Sequence, residues 1–98
     1  MYILELKQDK INNCIMNNEI VIVCFYEKNS LVSDLMIGTM NALKNKLNND
    51  TIIIISNKIN DINNNEHNYP KVEIYKKQKK VHTLNGFFSY KKLIKYLS

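Results

Sequence analysis

Ile20-Val21-Ile22-Val23-Cys24-Phe25-Tyr26, followed by Glu27-Lys28-Asn29-Ser30-Leu31-Val32-Ser33, is the stretch that decides the fold. From Glu19 to Tyr26 the chain is β-branched and aromatic without polar alternation. That pattern predicts a central strand buried on both faces. Asn29 or Ser30 then has the short polar side chain that caps a helix. The helix is expected to run to about Asn49, with Val32, Met36, Met40, Leu43 and Leu47 at helical spacing. Asp34 in its first turn and Lys44 and Lys46 near its end suit the helix dipole. Gly38 lies inside it and should soften it.

Working outward, Tyr2–Lys7 reads as a short strand. Asp9 is placed to cap a helix over Lys10–Asn17 that carries Ile11, Cys14 and Ile15 on one side. Downstream, Thr51–Ser56 is a second uninterrupted strand. Asn57–Tyr69 is polar and Asn-rich, a loop with at most a short helix near Ile59–Asn65. Lys71–Lys76 alternates, with Val72, Ile74 and Lys76 on one face and Glu73 and Tyr75 on the other. Lys77 to Lys80 turns the chain, and Val81–Leu84 returns it as far as Gly86. Ser89 caps a last helix with Tyr90, Leu93, Ile94 and Leu97 on one face. The order is β-α-β-α-β, a loop, then β-β-α. It predicts a single α/β domain over residues 1–98, with a mixed sheet and helices on both faces.

Composition narrows the function classes. The 98 residues carry a net charge of +5, and all 14 basic residues are lysine. Without arginine the chain lacks the forked donor that reads guanine edges and grips phosphate, so specific nucleic-acid recognition is not expected. Lysines leave room for weak, salt-sensitive attraction to nucleic acid. Those at Lys76, Lys77, Lys79 and Lys80 read as a solvated hairpin tip. No run approaches the roughly 18 apolar residues of a membrane span. No secretory leader pattern opens the sequence, and a cytoplasmic location is the expectation. Cys14 and Cys24 form neither C-x-x-C nor a zinc-ligand spacing, and no metal or cofactor is expected.

Three segments carry a resemblance. Val23-Cys24-Phe25-Tyr26-Glu27 is similar to the strand that leads into the active-site helix of the thioredoxin family. Tyr69-Pro70-Lys71-Val72-Glu73-Ile74-Tyr75 resembles that family's segment around a cis-proline. Lys79 to Gly86 resembles its last strand and glycine. The resemblance spans nearly the whole chain and implies a thioredoxin-like fold. It places the family's C-x-x-C on Ser30-Leu31-Val32-Ser33, its active-site Trp near Tyr26, its buried acid on Cys24 and its helix proline on Gly38. Every one of these departures touches the redox apparatus.

Disulfide exchange needs an attacking thiolate and a resolving thiol. A serine hydroxyl stays protonated at a helix N-terminus and forms no disulfide. Ser30 and Ser33 are therefore expected to cap the helix, and the chain is not expected to be an enzyme. A serine nucleophile would need a base. His67, before Pro70, and His82, in the hairpin, are the two histidines, and no carboxylate is placed to orient either. The resemblance implies a redox-inactive module that binds a protein or an extended peptide in the groove between this helix and Pro70. The residues expected there are Tyr26, Ser30, Leu31, Val32, Tyr69 and Pro70. The alternative is a divergent thiol-disulfide oxidoreductase in redox homeostasis that uses Cys24 or Cys14. Cys24 on a central strand and Cys14 on an apolar helix side read first as packed side chains, and spacing alone leaves a bridge between them open.

Overall fold

The alternation of strand and helix is present in the computed structural model, which describes residues 3–47, 50–57 and 69–97. The elements are β1 (Ile3–Glu5), α1 (Gln8–Asn17), β2 (Ile20–Tyr26), α2 (Leu31–Lys44), β3 (Thr51–Asn57), β4 (Lys71–Lys76), β5 (Lys79–Asn85) and α3 (Tyr90–Leu97). The strands lie in one mixed sheet in the order β1-β3-β2-β4-β5. β1 and β2 run parallel to β3 on either side of it. β4 pairs antiparallel with β2, and β5 with β4.

The unbroken apolar run of β2 has a simple cause. Successive side chains point to opposite faces, and both faces are covered. Ile22 and Cys24 meet Met36, Met40 and Leu43 of α2 and Leu93 of α3. Val21, Val23 and Phe25 face the other way and meet Ile11 and Ile15 of α1. The Ile run of β3 divides likewise, with Ile53 and Ile55 on the α2 side and Ile54 on the α1 side. Each such large apolar side chain contributes roughly 1.5–3 kcal/mol on burial, so β2 and β3 anchor the sheet that carries the site.

Several local expectations are corrected. α1 begins at Gln8 with Lys7 at the cap position, where no side chain accepts a capping hydrogen bond. Asp9 lies inside the first turn, where its charge faces the positive helix end rather than capping it. α2 stops at Lys44, not near Asn49; the Asn45 N–H turns back to the carbonyls of Ala42 and Leu43. Asparagine's side chain competes with helical hydrogen bonds, and Asn45 ends the run. Leu47 still packs against the core from beyond the helix. Val32, expected on the apolar stripe, is exposed, and Ser33 takes the buried place beside Met36 and Met40. The helix expected near 59–65, His67 and the start of the first strand at Tyr2 lie outside the described residues.

The β4–β5 turn is tighter than expected. Lys76 pairs with Lys79, leaving Lys77 and Gln78 as a two-residue loop with φ of 53° and 68°. This left-handed backbone suits Asn-Gly, and a Cβ-bearing, non-Asn residue is disfavoured there. Lys77→Asn with Gln78→Gly is expected to raise stability by about 1 kcal/mol. The check is a higher urea midpoint with an unchanged slope.

Candidate functional site

The turn after β2 determines the site. Asn29, at φ 62°, reverses the chain in the left-handed region that asparagine tolerates. Ser30 follows as the N-cap of α2. Its Oγ accepts the Ser33 N–H at 3.2 Å, and its carbonyl accepts the Asp34 N–H at 3.0 Å. The cap expected at Asn29 or Ser30 is thus Ser30.

Ser33 does something else. Its side chain is fully buried, and its Oγ accepts the Glu27 N–H at 3.0 Å. It therefore locks the turn to the helix instead of capping the helix. Both hydroxyls are committed to the backbone of this one turn. Leu31 and Val32, between them, form the first helical turn and face solvent, Leu31 at 82% exposure.

Pro70 approaches the same end of the sheet from β4. The Tyr69–Pro70 peptide is cis. The register pairs Phe25 with Lys71, so Pro70 comes level with the end of β2. Pro70 is buried, and its carbonyl accepts the Gly86 N–H at 2.8 Å. Gly86 sits at φ 89°, a backbone that glycine adopts without strain.

Tyr26 and Tyr69 are less simply placed. The Tyr26 hydroxyl donates to Glu5 Oε1 at 3.0 Å, toward β1 and away from β4. Burial, then that bond and the Glu5 charge, hold its hydroxyl pKa above the usual 10.0. Tyr69 packs with the cluster on the α1 side of the sheet, and Lys71 Nζ lies 5.9 Å from its ring centre. The structure thus gathers Ser30, Leu31, Val32 and Pro70 at one end of the sheet, while the two tyrosines reach to either side. The partner of Ser33 was not visible in sequence, because Glu27 contributes only its backbone. Leu35, 60% exposed one turn beyond Leu31, extends the apolar tip as an i+4 repeat.

The cysteines lie on opposite sides of the sheet. Cys24 belongs to the α2-side cluster, and Cys14 packs against the α1-side cluster. Both are free, and the bridge left open by spacing does not form. Burial pushes the Cys24 thiol pKa up from 9.0 to about 12. Its neutral form fits the fold, and the unfolded chain ionises first. Stability is therefore fully present below pH 9 and falls as pH climbs toward 12. Cys24→Ala is expected to flatten that decline in urea titrations. Ellman's reagent at pH 8 is expected to modify Cys14 in the native protein and both thiols in guanidinium. Rapid native reaction of Cys24 would show the burial to be wrong. His82, the second histidine singled out, packs edge-on against Tyr96 with centroids 4.9 Å apart. Among the described residues no group of three or more His, Cys, Asp or Glu is placed to hold a metal. Among the same residues no helix is long and apolar enough to cross a membrane.

No protein-family model and no curated protein matches the chain by sequence. Solved structures do match. The oxidised thioredoxin from Plasmodium falciparum superposes with a TM-score of 0.81 at 20% identity, covering 98% of each chain. A chain from a structure on thiol resolving in yeast mitochondrial 1-Cys peroxiredoxin, via the glutathione and thioredoxin systems, gives 0.82 at 18% identity. It covers 96% of this chain and 92% of its own. At these identities the likeness establishes the fold: this is a thioredoxin-like α/β chain.

Proposed function

We propose that this thioredoxin-fold chain is a redox-inactive binding module, one that takes an extended segment of a protein partner at the α2 end of its sheet. One observation carries the reading. At the mouth of α2 stand two serines whose oxygens already serve the chain's own backbone, Ser30 toward Ser33 and Ser33 toward Glu27. Among the described residues both hydroxyls bond to backbone N–H groups and not to a base, and the buried Cys24 thiol is held in its neutral form. A thiolate is the nucleophile that exchange requires. What this end of the fold still offers is contact: two exposed apolar side chains at Leu31 and Val32, at the same end of the sheet as a buried proline. Apolar groups at such a tip suit a protein surface better than water.

The test has two arms. The wild-type chain with dithiothreitol is incubated with insulin, and no acceleration of insulin precipitation is expected. A library of displayed extended peptides is then selected against the chain. Selected peptides are expected to lose about tenfold or more in affinity against Leu31→Asp, and to lose affinity against Tyr69→Ala. Wild-type turnover that vanishes in Cys14→Ser or Cys24→Ser would replace this reading with the oxidoreductase. Peptides indifferent to Leu31→Asp would remove the groove.

A further inference from the structure

We propose that the β5–α3 side of this chain holds the phosphate backbone of a nucleic acid, without regard to base sequence, on a strip of lysines that runs from α3 to the end of the β4–β5 hairpin. The inference goes beyond the groove and uses none of its residues.

The first observation is where the charge lies. From Ile74 to Ser98 the sequence carries seven lysines and no Asp or Glu, whereas the 73 residues before it carry seven lysines and nine acids. The net charge of +5 is thus +7 on this end and −2 on the rest. The fold keeps that end together. β5 is the border strand, and α3 packs back on the sheet with its Leu93 in one cluster with Leu84 of β5. Glu73, the last acid, points to the opposite face and takes Lys80 with it at 3.1 Å.

The second observation is that the other lysines share a face. Lys91, Lys92 and Lys95 border one hollow of 310 Å³ on α3, together with Ser89 and Tyr96. Tyr96 packs edge-on against His82 of β5. Beyond His82, toward the hairpin end, Lys79 stands opposite Lys76 in the register. Lys76 follows Val72 and Ile74 at every second residue, so this pair projects from the sheet face on which α3 lies. Among the described residues Lys76, Lys79, Lys91 and Lys92 make no ion pair. The strip follows β5 over about 20 Å of strand. That length spans about six phosphates along one strand of a duplex.

The third observation is that these lysines destabilise the chain locally. Lys76 and Lys79 are like charges directly opposite each other across two strands. Lys91 and Lys95 are like charges one helical turn apart. Lys91 and Lys92 stand in the first turn of α3, where the helix dipole favours an acid and none is present. An anion laid along the strip relieves all three.

The kind of partner follows from the residue type. Lysine is depleted from the cores of protein contacts. The hollow offers no aliphatic wedge for a bilayer. A phosphate backbone asks only for point charges, which lysine supplies. Without arginine the base edges go unread.

The experiment is fluorescence anisotropy of a labelled oligothymidylate, and of its duplex with oligoadenylate, titrated with the full chain over a salt series. Both are expected to bind. With four lysine contacts, log affinity is expected to fall against log salt with a slope of about −4 on the duplex and about −3 on the single strand. Lys79→Gln/Lys92→Gln is expected to weaken binding about tenfold or more at low salt and to halve the slope. Lys7→Gln/Lys10→Gln removes the same charge elsewhere and is expected to keep the wild-type slope. All four side chains belong to exposed residues, so both variants are expected to melt with wild type. Binding to neither oligonucleotide at low salt overturns the proposal. Equal weakening by the two variants also overturns it, because net charge would then suffice without a strip. Vesicles of phosphatidylserine are the third probe, and tighter binding to them than to either oligonucleotide assigns the strip to a membrane instead.

Discussion

Ser30→Cys with Ser33→Cys is expected to reduce insulin disulfides at least about tenfold faster than the wild-type chain. The scaffold for that chemistry is intact. Ser30 stands at the N-cap of a 14-residue helix, and its Oγ already accepts an N–H from the first turn. A thiolate there would meet the same donor and the positive end of the helix, both of which lower a thiol's pKa. Ser33 lies three residues on, buried, in the place of a resolving thiol. The substitution has a cost, because sulfur is a weaker acceptor for the Glu27 N–H now held by Ser33 Oγ at 3.0 Å. About 1 kcal/mol of stability should be lost. Cys24 on the same side of the sheet is buried and stays a spectator. Insulin precipitation and a thiol titration of the variant are the measurements. An inactive but folded double variant would show that two thiols at these positions do not suffice for disulfide reduction on this scaffold.

Glu73→Ala is expected to lose about 3 kcal/mol, a large share of the stability available to a domain of this size. Glu73 is 5% exposed, yet its carboxylate accepts the Tyr75 hydroxyl at 2.9 Å and lies 3.1 Å from Lys80 Nζ. Lys71 Nζ, itself buried, is 3.9 Å away and sits 5.1 Å from the centre of the Phe25 ring. Removing the carboxylate takes away the acid 3.9 Å from the buried Lys71 Nζ and 3.1 Å from Lys80 Nζ. Removing both charges should be far milder, because well-packed apolar residues often replace a buried pair at little cost. Lys71→Met/Glu73→Leu is therefore expected to unfold in urea close to wild type, and Glu73→Ala well below it. A double variant as weak as the single would show that the packing, not the charge, is what Glu73 supplies.

Much of this arrangement was legible in the residues. The apolar runs at β2 and β3 announced strands covered on both faces, because neither run has the polar alternation that a strand with one wet face shows. Ser30 announced a cap, and Pro70 before an alternating strand announced the far wall of the site. What stayed hidden depends on contacts between distant segments. Ser33 looks like a second cap until the turn brings the Glu27 N–H to it. Tyr26 looks like a groove residue until β1, 21 positions away, supplies Glu5. Glu73 and Tyr75 look like a wet strand face, and the ion cluster that buries Glu73 needs β5 folded back beside β4. The end of α2 was overrun because Leu47 keeps helical spacing while Asn45 has already broken the helix.

The borders of the sheet have a consequence for crowded solutions. One border is β1, three residues long; the other is β5, which opens on two exposed lysines. Among the described residues a foreign strand finds little backbone to bond at the first and much like charge at the second. Among those same residues, growth by strand addition at either border is therefore disfavoured.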